Sequence, residues 1–270
     1  MPELLIDYHL HTIRCGHAEG EMWEYLEESL EKGIGEVGFA DHLPLYFQSK
    51  EAREPGIAMD EEELMAYVED VRRIQKLYPD ISIKLGIEAD FVPGREDKLL
   101  GLLKDLPFDY VLGSVHFIDG WGFDNPDFLA EYQNKDIDQL YCRYFELLQQ
   151  AALSGIFDSL AHPDLIKKFG FSPKERLTGV YEDTVKVIKK SGICIEVNTA
   201  GLRVPAQEIY PAESFLSLCF EQGIPVTLGS DAHKPEHVGQ NFAEAEALLR
   251  KVGYTHIAKF TGRKREMVII

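Results

Sequence analysis

The stretch Leu4-Leu5-Ile6-Asp7-Tyr8-His9-Leu10-His11-Thr12 decides how the rest of the chain is read. Residues 4–8 are a short apolar run of strand character, and the run leads into two histidines. Alternate residues of a strand face one side, so His9 and His11 point together and one ion can take both imidazoles. Residues 21–32 follow as a helical stretch with Trp23, Leu26 and Leu30 at helical spacing. Strand, polar tip, helix is the unit to look for downstream.

The unit recurs. Strand 36–40 precedes helix 60–77, where Leu64, Tyr67, Val71 and Ile74 form an apolar stripe and Asp60 with Glu63 resembles a capping box. Strands 82–89 and 110–115 precede helices 95–105 and 137–153, and strand 159–161 precedes a helix expected to open at Ser172 as N-cap with Pro173 at its first position. Strands 193–197 and 225–228, helices 212–222 and 242–251, and a β-like tail over 267–270 complete the pattern. Seven βα units predict an α/β fold with a parallel sheet and helical crossovers. No Gly-, Ser- or Pro-rich linker interrupts them, so residues 1–270 are expected to form a single domain. The longest loops, 44–59 and 116–134, are candidate substrate walls.

Composition narrows the class. Of 270 residues 45% are hydrophobic, which suits a large core and excludes a disulfide miniprotein or a disordered tail. Lys and Arg total 28 against 46 Asp and Glu, a formal net charge of −18, so a nucleic acid is not an expected partner. The four cysteines are scattered without a CxxC, which points to a reducing compartment rather than a thiolate zinc site. With no basic and apolar leader and no run of about 20 apolar residues, a cytoplasmic chain without a membrane partner is expected.

The polar residues at the strand ends carry the functional signal. The first strand ends in His9 and His11, the second in His42, the third in Glu88, the fourth in His116, the fifth in His162 and the seventh in Asp231 and His233. Parallel α/β sheets and barrels place their sites at these carboxyl ends. The sixth strand ends in Glu196 and Asn198, followed by Arg203. Glu88 ends an apolar strand, where an unpaired carboxylate is costly and a cation partner is expected. Asp41, beside His42, is a candidate acceptor for that imidazole, Asp90 a solvated or supporting group, and His17 a loop residue able to reach the mouth.

As a set, DYHLHT, His17, GFADH, GIEADF, GSVHFIDGWGFD, AHPDLIKKFG, EVNTAGLR and GSDAHKPEHVG resemble, in that order and over the whole chain, the polymerase and histidinol phosphatase (PHP) superfamily of metal-dependent phosphoesterases, specifically its histidinol-phosphate phosphatases. The resemblance implies a distorted seven-stranded (βα)7 TIM-like barrel. It implies three divalent transition-metal ions (Zn, Mn or Fe): one on His9, His11, Glu88 and Asp231, one on His17, His42 and His233, and one on Glu88, His116 and His162, with Glu88 bridging. It further implies hydrolysis of L-histidinol phosphate, a step of histidine biosynthesis. A water shared between ions would lose its proton near neutral pH and attack phosphorus. The alternative is another small phosphate ester or a phosphodiester.

The cations reverse the local sign, so a pocket for a dianionic small phosphomonoester is expected inside an acidic protein. Glu88, Asp231 and Arg203 are the candidate catalytic residues, with Arg203 as phosphate clamp. Lys167 or Lys168 is a candidate helper, as is Asn198 at the end of the sixth strand. Asp119, Trp121 and Asp124, with Tyr46 and Phe47, are candidates for the amine and imidazole of the leaving alcohol.

Overall fold

A computed structural model describes residues 5–174 and 177–270. Leu4, read as the start of the first strand, lies outside the described residues. In chain order, β1 (Ile6–Leu10), α1 (Met22–Glu31), β2 (Glu36–Phe39), α2 (Leu64–Leu77), β3 (Ser82–Asp90), α3 (Glu96–Leu103) and β4 (Tyr110–Ser114) lead to a small hairpin, β5 (Phe117–Ile118) with β6 (Trp121–Gly122). Then come α4 (Ile137–Leu153), β7 (Ser159–Leu160), α5 (Thr178–Ser191), β8 (Cys194–Asn198), α6 (Glu213–Glu221), β9 (Val226–Gly229) and α7 (Phe242–Val252). A second hairpin, β10 (His256–Thr261) with β11 (Lys264–Ile269), ends the chain. Among the described residues no helix is long and apolar enough to cross a membrane.

Seven strands pair in parallel in the order β1-β2-β3-β4-β7-β8-β9. The barrel is nearly closed at its carboxyl end, where Leu10 bridges Ala232. There His11 donates its N–H to the Ala232 carbonyl and Ala232 donates to His9, both at 3.0 Å. The seven parallel strands expected from the alternation, and the barrel that the resemblance implies, are those observed, and the helices wrap the barrel with apolar stripes inward.

Alternation in β1 is broken by a bulge. Asp7 pairs Val37 and Leu10 pairs Phe39, so Tyr8 and His9 together oppose Gly38. Neighbouring side chains of a regular strand point to opposite faces, yet both of these point inward. Tyr8 goes down, stacking on Tyr110 at 4.8 Å and lying 6.0 Å from Phe260 of β10. Its hydroxyl donates to Glu36 and accepts from the Phe260 N–H. Gly38 and Gly86 make room for Tyr110: a Cβ at either position would lie 2.0 or 2.2 Å from that ring's atoms. The β10–β11 hairpin thus caps an aromatic floor at the amino end, and His9 is freed to face the other end.

Two expectations need correction. The last helical unit before β8 starts at Thr178, not Ser172. Phe171 stacks on Tyr132 at 4.4 Å and its carbonyl accepts from the Tyr141 hydroxyl at 2.6 Å, so packing keeps Phe171 out of a helix and overrides the Ser-Pro signal. Residues 175–176 lie outside the described residues. The tail read as one β-like segment is the second strand of a hairpin whose first strand, with Ile257, Ala258 and Phe260 buried, went unread. The capping box is present: Asp60 and Glu63 open a 3-10 turn that runs into α2.

Candidate metal centre

The strand ends converge on Glu88, which is 1% exposed. Its Oε2 lies 2.9 Å from His42 Nδ1, 3.3 Å from His9 Nε2 and 3.8 Å from His11 Nε2, and its Oε1 lies 2.8 Å from His162 Nε2 and 3.6 Å from His116 Nε2. One carboxylate therefore faces two groups of imidazoles. Asp231 Oδ1 lies 3.1 Å from His11 Nε2 and 3.9 Å from His9 Nε2. His233 stacks on His11 at 3.9 Å, and His17 reaches in from the first loop to lie 4.6 Å from His233 and 5.4 Å from His42. All nine residues read from the sequence as metal ligands are in this cluster.

Acceptors behind the rings set their orientation. Glu196 accepts from His9 Nδ1 at 2.7 Å, Asp90 from His116 Nδ1 at 3.1 Å and Asp41 from His11 Nδ1 at 3.4 Å. His17 Nδ1 donates to the Gly56 carbonyl at 3.0 Å. A proton held at Nδ1 leaves the Nε2 lone pair for the cluster. Asp41, expected to back the His42 ring, backs the His11 ring instead; it still accepts from the His42 backbone N–H at 2.8 Å, and Thr12 also donates to it. His42 turns its own Nδ1 to Glu88. His162 (φ 27°) and Asp231 (φ 54°), each two residues past its strand, hold left-handed backbone, a conformation that functional sites retain at a cost.

The electrostatics ask for positive charge. Burial alone raises the Glu88 carboxyl, but the imidazoles of His42, His9 and His116 hold it well below the usual range. Asp231 is held well below likewise, by His9, His11 and His233 against burial. Burial disfavours an imidazolium at His9, yet Glu196, Asp231 and Glu88 raise it well above its ordinary value. His116 rises to about 10 because Asp90, Glu88 and Asp124 outweigh burial. His17 falls to about 4 through burial and then His42 and His11, and so offers a neutral donor.

Divalent cations fit this set. Nε2 of His9, His11 and His233, Nδ1 of His162 and Oε2 of Glu88 are buried without a hydrogen-bond partner among the described residues, an arrangement that is costly unless a cation meets them. Donor atoms of His9, His11 and Glu88, of His17, His42 and His233, and of His42, Glu88 and His116 each lie within 4.8 Å of one another. Cys15 approaches His11 and His233 in the same way, while its Sγ donates to the Thr12 carbonyl at 3.2 Å.

Beside the cluster opens a cleft of about 780 Å³, walled by both long loops, with Gln48 and Glu54 from one and Phe117 and Asp127 from the other. Asp124 and Lys168 line it and pair at 3.1 Å. Arg203 lies against the cluster: its Nη2 donates to the carbonyls of Ser230 at 2.6 Å and Asp231 at 3.1 Å, and its Nη1 is buried and unpartnered among the described residues.

Other sequence candidates are engaged elsewhere. Lys167 is held by Asp164 and Glu208, at 2.9 and 2.7 Å. Asp119 pairs with Arg143 of α4 at 2.8 Å, beside a separate groove that Phe47 also lines. Trp121 packs on Tyr132 at 4.9 Å beneath Lys135, and Tyr46 is buried with its hydroxyl on the Asp90 carbonyl. Asn198 spends its amide on Glu196 at 2.9 Å and Asp231 at 3.4 Å. The loop positions were read from chain order alone, which does not say which side of a hairpin a residue takes. Glu196 was noted at a strand end without a role; its signal was a carboxylate inside an apolar β-run.

Comparison with known proteins agrees with this geometry. The PHP domain profile matches residues 7–200. A probable histidinol-phosphatase of Deinococcus radiodurans is 40% identical over 253 residues, covering 92% of this chain and 94% of its own. The histidinol-phosphatase of Bacillus subtilis is 27% identical, covering 91% and 98%. The crystal structure of histidinol phosphate phosphatase from Lactococcus lactis, complexed with zinc, L-histidinol and phosphate, matches with a TM-score of 0.83 at 21% identity over 97% of this chain and 98% of that one, and so shares the fold. With a family profile over most of its length and a 40% identical relative end to end, the chain belongs to the PHP domain family, in its histidinol-phosphatase group.

Proposed function

We propose that this chain is a divalent-metal-dependent phosphomonoesterase that hydrolyses L-histidinol phosphate to L-histidinol and phosphate. The observation that carries the reading is the two-sided Glu88 carboxylate, with His42, His9 and His11 around one oxygen and His162 and His116 around the other. We assign three ions of the Zn, Mn or Fe type: the first to His9, His11, Glu88 and Asp231, the second to His17, His42 and His233, and the third to Glu88, His116 and His162. When bound, these ions supply positive charge and Lewis acidity toward a phosphate ester and water.

The chain's own groups do the rest. Arg203 Nη1, fixed by the backbone bonds of Nη2, is placed to donate to a phosphate oxygen, and Lys168 to neutralise charge at the cleft side. The leaving alcohol carries a cationic amine, and the cleft wall is acidic: Glu54, Asp90, Asp124 and Asp127 face Lys168 alone among lysines and arginines. Phe117 and Phe128 offer ring faces to an imidazole.

The test is elemental analysis of the purified protein followed by phosphate release from a panel of small phosphomonoesters. Two to three transition-metal ions per chain, and turnover of histidinol phosphate far above that of an aryl phosphate, are expected. Equal rates on the two esters remove the substrate assignment, and a metal-free active protein removes the mechanism.

A further inference from the structure

Glu196 lies fully buried on β8 beneath the cluster, beside β7, after which His162 follows, and two strands across the seam from β1, which carries His9. We propose that Glu196 is a positioning residue that locks His9 as its Nδ1–H tautomer, and so aims the Nε2 lone pair at an ion, while pinning the backbone that presents His162. The inference rests on the proposed metal centre.

The geometry is specific. Oε1 accepts from His9 Nδ1 at 2.7 Å, and Oε2 accepts from the His162 N–H and from Asn198 Nδ2, both at 2.9 Å. A carboxylate only accepts, so the proton between Glu196 and His9 sits on Nδ1, which leaves Nε2, 3.3 Å from Glu88, as the nitrogen an ion would take. The bond to the His162 N–H steadies a residue with left-handed φ. Asp90 serves His116 alone, whereas Glu196 ties ligands from β1 and from the end of β7 to one side chain, as Asp41 ties the His11 ring to the His42 N–H.

An isosteric amide cannot replace it. With its NH2 toward His9, Gln would donate to Nδ1, force the proton onto Nε2 and remove that ligand. With the amide turned, its NH2 would meet the His162 N–H and the Asn198 amide, donor against donor. Asn198 cannot turn to relieve this, because its Oδ1 accepts from Ala200 and its Nδ2 also reaches Asp231. The fold also keeps space for the carboxylate. A Cβ at Gly229 would stand 2.0 Å from Glu196 Oε1 and 2.7 Å from His9 Cβ, so no other residue fits there without moving it.

The experiment compares full-length zinc-loaded proteins by elemental analysis after dialysis against a buffered chelator, with circular dichroism as the check on folding. Glu196→Gln is expected to hold its most weakened ion about 10–100-fold less tightly than wild type. Glu196→Asp, smaller but still an acceptor, is expected to retain more metal than the isosteric Gln, and Gly229→Ala to lose metal like Glu196→Gln. A purely space-filling role predicts the reverse order of Asp and Gln, and that order overturns the proposal, as does wild-type retention in Glu196→Gln. Should the variants not fold, the ¹⁵N-histidine spectrum of the wild type decides. A proton bonded to His9 Nδ1 supports the role, and one on Nε2 overturns it. A wild-type chain that takes up no zinc overturns the proposed centre and this role with it.

Discussion

At its amino end the barrel is filled by Tyr8, Tyr110 and Phe260, with rings 4.8 to 6.0 Å apart, and at its carboxyl end the same interior holds Glu88, Asp231 and a cluster of imidazoles. Both ends are buried, but they differ in what is left unsatisfied. Tyr110 donates to the Tyr8 carbonyl at 2.7 Å, and the Tyr8 hydroxyl has partners on both sides. The upper layer leaves bare nitrogens and a bare carboxylate oxygen. Stability is thus concentrated in the floor and affinity for cations in the mouth, and a substitution in one layer should leave the other's property in place.

The sharpest break comes at the mouth. Glu88→Gln should lower kcat/KM by about 10³-fold or more and release more than one ion, because one carboxylate serves both groups of imidazoles; phosphate release and elemental analysis check this. Phe260→Ala should do the opposite, costing roughly 3–5 kcal/mol of folding stability while the folded protein keeps its metal content and kcat. Denaturant unfolding alongside metal analysis separates the two. Arg203→Ala should reduce kcat/KM by roughly 10–100-fold, the loss of a charge-assisted bond, with metal content unchanged; loss of metal would assign Arg203 to the scaffold instead. Least severe, Glu54→Gln at the outer wall should raise KM for histidinol phosphate by about 3–10-fold and leave an aryl phosphate without a cationic group unaffected, as read in paired steady-state assays.

The mouth was more legible in the sequence than the floor. Strand-borne His and Asp residues announce themselves because a polar side chain at the end of an apolar β-run has few other reasons to be there. Aromatic residues such as Tyr8 and Phe260 do not, since their spacing says only that they are buried. The bulge at Tyr8 and His9 is invisible for a further reason: it is set by register against Gly38, a tertiary property, and sequence alternation assigns those two side chains to opposite faces. The same limit moved Asp41 from the His42 ring to the His11 ring and sent Asp119 and Trp121 away from the cleft, because loop residues take their direction from partners such as Arg143 and Tyr132. Helices with a clear apolar stripe, by contrast, follow from local periodicity, and α4 lies at the bounds read from it.

The bridge between Leu10 and Ala232 also sets an order in time. Ser230 donates its N–H to Asp7 across 223 residues of chain, so the strand bearing His9 and His11 leaves the ribosome long before Asp231 and His233 exist. At about 5–20 residues per second that interval is roughly 10–45 s, during which the early histidines have no late partners. With the proposed ligand set, metal uptake would therefore be a closing event in the protein's synthesis. An ion held as proposed by His9, His11 and Asp231 would join the first and last strands of the barrel like a clasp, and would stabilise that seam by binding the folded chain.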